Sequence, residues 1–313
     1  MKRLITTLLY LALLCSAQAF AQENHVVSAF KNLTKQSNWH KVTEVNLNFK
    51  SFHTQGMVKI GDYFYVSAVE VLEPTETYDK SDHINDFSIT RTAGKGRGWL
   101  FKFGLDGKLV KKTELTDGDI FHPGGIDFDG AHIWVPVAEY RPNSKSNIYK
   151  VDPDTMETVF SFSVDDHIGA IVHNTAKHTF HGASWGGRRI YQWKLDENYS
   201  KLSENWHPNP THYIDYQDCH YQTPHQMICG GVQSYKAGDA KLTLGGLELV
   251  DLSSETPKPV HLVPVSEMVT NEVSLTHNPF WVEAAKNNSE NLQFYFMPDV
   301  DNIAKLYIYE VGR

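Results

Sequence analysis

A chain of 313 residues with 37 Asp+Glu against 29 Lys+Arg, a formal net charge of −8, has no basic tail or stripe. That balance excludes nucleic acid and anionic membrane surfaces as partners. The one long apolar run, Leu4 to Leu14, is too short to span a bilayer.

That run belongs to a signal peptide over residues 1–21. Lys2 and Arg3 give the positive start, and Ala19 and Ala21 are placed for cleavage before Gln22. Leu14 before Cys15 is the wrong context for lipidation. The signal is bacterial in style, so the expected location is the periplasm or the outside of the cell. Its removal takes away two basic residues and no acidic ones, which moves the net charge from −8 to −10. Residues 22–37 read as a leader, and residues 38–313 as a single β domain.

From there the pattern is a repeat. Val42–Leu47 alternates as a strand should. A strand with large residues on alternate positions then returns five times: Leu100–Phe103, Ile148–Val151, Ile190–Trp193, Leu247–Val250 and Leu306–Tyr309. Turn residues such as Asp106-Gly107 and Asp152-Pro153 follow. A period of this order is that of four-stranded propeller blades. The start of each unit also repeats, as His, two residues, a small residue and an apolar one: Phe52-His53-Thr54-Gln55-Gly56-Met57, Phe121-His122-Pro123-Gly124-Gly125-Ile126 and Asp166-His167-Ile168-Gly169-Ala170-Ile171. Gln217–His220 and Thr276–Pro279 keep the pattern less well. Blade 5 runs out of chain after three strands, so Val42–Leu47 is expected to complete it and close the ring. The expected fold is therefore all-β, a five-bladed β-propeller, with six blades as the alternative.

Two insertions interrupt the units: Val71–Arg97 between the second and third strands of blade 1, and Lys236–Lys241 at the same place in blade 4. Cys219 and Cys229 flank Pro224, where a hairpin turn falls, and are expected to form a cross-strand disulfide.

A propeller places its site at the mouth of the central channel. His53, His122 and His167 start three successive blades and so share one level around the axis. The ends of the second strands reach the same mouth, bringing Glu70, Glu139, Trp185, Gln233 and Asp299, with Arg141 and His181 nearby. Three chemistries are open to the histidines. They can hold a divalent transition metal, for which imidazole with carboxylate is suited. They can act without metal as general base and acid. They can also serve the fold by donating to backbone carbonyls. Glu70, Glu139 and Arg141 are the candidate catalytic partners, and His181, Trp185, Gln233 and Asp299 the candidate ligand contacts. No Gly-x-Ser-x-Gly elbow supports a serine-hydrolase triad, since Gly182–Gly186 has the wrong spacing.

The blade starts, with Val137–Arg141 and His181–Gly186, resemble an uncharacterised family of secreted propeller proteins, a likeness that implies a fold but no activity. Thr54-Gln55-Gly56-Met57 is similar to the first-blade signature of secreted five-bladed glutaminyl cyclases, which implies metal-free transfer chemistry. Gluconolactonase and paraoxonase propellers are similar in architecture, but their axial calcium is held by carboxylate and asparagine, which His53, His122 and His167 replace here. The expected function is a metal-assisted small-molecule hydrolase or lactonase. The alternatives are a metal-free glutaminyl-cyclase-like transferase and a non-enzymatic propeller that binds a sugar, peptide or partner.

Overall fold

The structure, a computed structural model, describes residues 25–78, 88–238, 240–288, 290–302 and 304–312. The signal-peptide reading falls on residues outside that set. Five antiparallel sheets form the blades of a β-propeller. Blade 1 runs His53–Ile60, Tyr63–Glu73, Lys95–Gly104 and Leu109–Glu114 from the axis outward. Blade 2 has an innermost strand broken into Ile120–Pro123 and Asp127–Phe128, then Ile133–Glu139, Ser146–Val151 and Thr158–Val164. Blade 3 is Ile168–Asn174, Thr179–Ser184, Arg189–Leu195 and Lys201–Pro208. Blade 4 is Asp215–Thr223, Gln226–Ala237, Ala240–Asp251 and Lys258–Val265.

Blade 5 takes Phe280–Ala284, Leu292–Phe296 and Lys305–Gly312 from the C-terminal end and Asn38–Asn46 from the N-terminal end. Glu44 pairs with Tyr307 and Val45 with Leu306, as the incomplete last unit required. This closure replaces an open sheet edge with a ladder of hydrogen bonds.

Large apolar residues fill the spaces between blades. Trp134, Phe162, Phe180 and Trp193 pack between blades 2 and 3, and Trp134 meets Phe180 edge-on at 4.5 Å between ring centres. Residues 25–30, within the segment read as a leader, are helical. Phe30 is fully buried with Val26 and Val27 in the cluster that joins blades 4 and 5. His261 donates from Nε2 to the Leu33 carbonyl beside them (2.9 Å). Burying a side chain like that of Phe30 stabilises the fold by about 2–3 kcal/mol.

The two insertions take different forms. In blade 1, Tyr78 donates to the Thr90 carbonyl and Thr92 to the Glu76 carbonyl, which makes a short hairpin stem. In blade 4, the strands simply continue, with Lys236 paired to Lys241 and a turn at Gly238.

The small residue of the repeated motif has a steric reason. A Cβ on Gly56 would lie 2.4 Å from the Ile126 nitrogen, and one on Gly125 would lie 2.6 Å from the Gln217 carbonyl oxygen. Both contacts are with backbone, which has no room to yield. Gly125 and Ala170 form a parallel bridge at this level. The innermost strands therefore meet at the axis, and the channel is closed below the histidines.

Candidate functional site

Counting three residues back from the axial residue in each blade gives His53, His122, His167, Asp215 and His277. All five line a single cavity of about 290 Å³, with Gln55, Tyr140, Trp185 and Gln217 among its other walls. The motif thus projects one polar side chain per blade into a bowl above the closed axis. Gln55 and Gln217, two residues on from His53 and Asp215, reach the same walls by strand alternation, and Tyr216 and Asn278 line the cavity as well.

The imidazoles form a file. Ring centres are 6.1 Å apart for His53 and His122 and 5.4 Å for His122 and His167. Tyr140 stacks on His122 at 4.1 Å, and Trp185 meets His167 edge-on at 4.7 Å. The Nδ1 of His53 is held by the Asp299 carboxylate, while its Nε2 lies 3.5 Å from the Tyr140 hydroxyl. His167 donates from Nδ1 to the Glu139 backbone carbonyl (2.8 Å). In both rings one nitrogen is fixed by the fold and Nε2 is the lone-pair face.

Electrostatics keep the inner rings neutral. Burial, reinforced by the nearby His167 and His53, holds the His122 pKa well below its ordinary value. Burial brings His167 down to about 4, against the pull of its bond to Glu139. The Tyr140 phenol is raised by burial and by the Asp299 charge, so it remains a donor. Burial also raises Asp215, although Arg188 at 3.1 Å draws it back.

The remaining candidates divide. Trp185 lines the cavity, and Asp299 contacts His53 behind the cavity wall without lining it. Glu139 is paired with Arg141 (2.5 Å) beside the rim, and its backbone oxygen rather than its carboxylate meets His167. Glu70 lines a neighbouring cleft behind His53 and accepts a bond from the Trp99 indole at 3.1 Å. Gln233 donates to Asp215 at 3.1 Å. His181 is buried within blade 3, where burial lowers its pKa to about 4, and it does not line the cavity.

Sequence reasoning missed Tyr140, Asp215 and His277. Asp215 and His277 were available to it: aligning blades 4 and 5 on the axial residues Asp218 and Phe280 puts both in the histidine slot. Tyr140 carried no such signal, because it follows the end of a strand.

A further polar cluster lies on the axis beneath the bowl. Asp218, fully buried, accepts amide bonds from Met57 (2.9 Å), Ile126 (3.1 Å) and Phe280 (3.3 Å). His220 lies between Asp218 (3.4 Å) and Asp127 (3.5 Å). Burial opposes a charge on His220, but the two carboxylates outweigh it and raise its pKa. Burial raises Asp218 as well, with His220 pulling it back.

A family model spans residues 10–312 of this sequence. The chain belongs to DUF6454, a family of unknown function. No curated protein matches it. Solved structures similar to this DUF6454 chain include a luciferin-regenerating enzyme (13% identity, TM-score 0.47, covering 88% of this chain and 95% of that one). The periplasmic gluconolactonase of Pseudomonas aeruginosa is also similar (11% identity, TM-score 0.37, covering 81% and 87%). So is the Dos1 propeller (11% identity, TM-score 0.37, covering 82% and 67%). The Cys219–Cys229 disulfide is present, and such bonds persist in oxidising compartments. Among the described residues no helix is long and apolar enough to cross a membrane.

Proposed function

We propose that the bowl is the active site of an exported small-molecule hydrolase acting on a carboxylic ester or lactone. The observation that carries this reading is the His53–Asp299 pair at the cavity wall. A carboxylate on Nδ1 fixes the tautomer and leaves Nε2 as a general base for water. The base takes a proton from the attacking water, and its own positive charge is stabilised by Asp299. Tyr140, held protonated, is a donor for the oxyanion that forms at the carbonyl. The His53 imidazolium then gives that proton to the leaving alkoxide, while Asp215, paired with Arg188, forms a charged wall of the bowl. His122 and His167 stay neutral and donate or accept without adding charge.

A metal-assisted version has one observation in its favour. His53 and His167 each have Nδ1 engaged by a carboxylate or carbonyl, the arrangement that orients imidazole ligands toward metal. With His122 they would hold a divalent transition metal. As placed, however, no three His, Cys, Asp or Glu side chains among the described residues converge closely enough for one.

The test is turnover of a panel of esters and lactones by the mature protein, with elemental analysis of the same preparation. Hydrolysis abolished in His53→Ala and strongly reduced in Asp299→Asn is the expected result. Full activity in both variants would overturn the general-base assignment. One equivalent of a transition metal, lost in the triple Ala variant of His53, His122 and His167, would favour the metal-assisted version. Absence of turnover with retained ligand binding would favour a binding propeller.

A further inference from the structure

The stem of the blade 1 insertion brings a cation to the rim of the bowl. Arg91 pairs with Thr77 across the stem. Asn143 braces the stem from blade 2 by donating to the Ser88 carbonyl (3.0 Å). The Arg91 guanidinium lies over the Trp185 ring, 5.2 Å from its centre. Trp185 is itself a wall of the bowl.

This guanidinium differs from its neighbours. Arg141 is committed to Glu139, Arg188 to Asp215 and Arg189 to Asp166. The Arg91 Nε, by contrast, is buried with no hydrogen-bond partner. An N–H left without an acceptor is a cost that folding normally avoids. Stacking on an aromatic face holds a guanidinium flat while leaving its N–H edges to recognise an oxyanion in two-pronged fashion. Arg91 is not itself a wall of the bowl but lies against one of them, Trp185, and its field reaches the Tyr140 phenol, where it opposes the rise caused by burial.

We propose that Arg91 is the anion-recognition residue of this bowl, and that the substrate carries a carboxylate or phosphate group. The inference rests on the reading of the bowl as a small-molecule site and adds the charge class of what enters it. The reacting bond then lies at His53 and Tyr140, and the anionic end is held beside Trp185. The chain's overall negative charge would repel such a substrate, which makes a dedicated cation at the rim the more necessary.

The experiment is isothermal titration of the mature protein with benzoate, inorganic phosphate and neutral benzamide at fixed ionic strength, in wild type, Arg91→Gln and Arg91→Lys. Wild type should bind at least one anion more tightly than benzamide. Arg91→Gln should weaken that anion about ten- to hundredfold, the value of a charge-assisted pair, and leave benzamide unchanged. Arg91→Lys should fall between, since it keeps the charge and loses the fork. Binding of benzoate but not phosphate assigns a carboxylate, and the reverse assigns a phosphate. Equal anion binding by wild type and Arg91→Gln, or no anion binding by wild type, overturns the inference. If Arg91 controls anion binding but no ester or lactone is turned over, this inference stands and the hydrolase reading fails. Equal hydrolysis of neutral and anionic esters by wild type and Arg91→Gln gives the opposite result.

Discussion

Asp218 in blade 4 accepts the backbone amide of Met57 in blade 1, a partner 161 residues away, across the axis of the ring. With Ile126 and Phe280 on the same carboxylate, one side chain ties the innermost strands of four blades together. Asp218→Ala would leave these amides and the His220 imidazole without their acceptor. It should cost about 3–5 kcal/mol, the penalty for removing one partner of a buried charge pair. Asp218→Asn keeps a carbonyl acceptor and should cost less. Urea unfolding measures both, and an Ala variant within about 1 kcal/mol of wild type would sink the assignment.

The Cys219–Cys229 disulfide joins directly opposed residues of adjacent strands in blade 4, with a sequence separation of 10. Loop-closure entropy for so short a loop implies a loss of roughly 2–3 kcal/mol when both are changed to Ser. Both half-cystines are buried against Ala170, Ile214 and Met227. The double Ser variant should therefore fold but melt earlier, and reduction of wild type should have the same effect. Calorimetry with and without reductant checks it.

His181 gives a pH dependence with a defined sign. Burial, aided by the Lys177 charge, lowers its pKa to about 4 in the folded protein. The unfolded chain has the ordinary value of roughly 6.5. Below that value the unfolded state takes up a proton that the folded state refuses, so stability is lost as pH falls from about 6.5 toward about 4. Near pH 5 this one group should account for about 2 kcal/mol of the loss. His181→Leu removes it, along with a buried Nδ1 that has no partner. The variant should lose correspondingly less stability between neutral and acid pH in parallel urea titrations. Identical slopes for the two proteins would refute it.

Asp299→Asn separates the general-base reading from a merely structural one. The variant should keep its fold and lower kcat by about 10²–10⁴-fold with KM little changed, because the imidazolium formed in the reaction loses its stabilising charge. Glu70→Gln is the control: its carboxylate bonds the Trp99 indole in a neighbouring cleft, so kcat should change little. A larger effect from Glu70 than from Asp299 would relocate the base.

The sequence by itself determined the ring. Alternating strands, turn residues at hairpin ends and a last unit short of one strand required that the Val42–Leu47 run complete blade 5, because an unpaired edge leaves backbone groups unsatisfied; the strand that does so is Asn38–Asn46. It also determined that His53, His122 and His167 stand at one level, because each precedes the axial residue by the same interval. Tertiary structure alone decided which partners those rings meet. Glu70 and Glu139 follow the residues paired with His53 and His122 and so hold equivalent positions, but the strand of Glu70 runs on to Glu73, and one carboxylate bonds a tryptophan and the other an arginine. Asp299 reaches His53 from 246 residues away, and Arg91 reaches the Trp185 ring only through the geometry of an insertion. Periodicity fixes the face on which a side chain emerges. What that side chain touches depends on strand twist, loop path and the packing of distant segments, which no local pattern encodes.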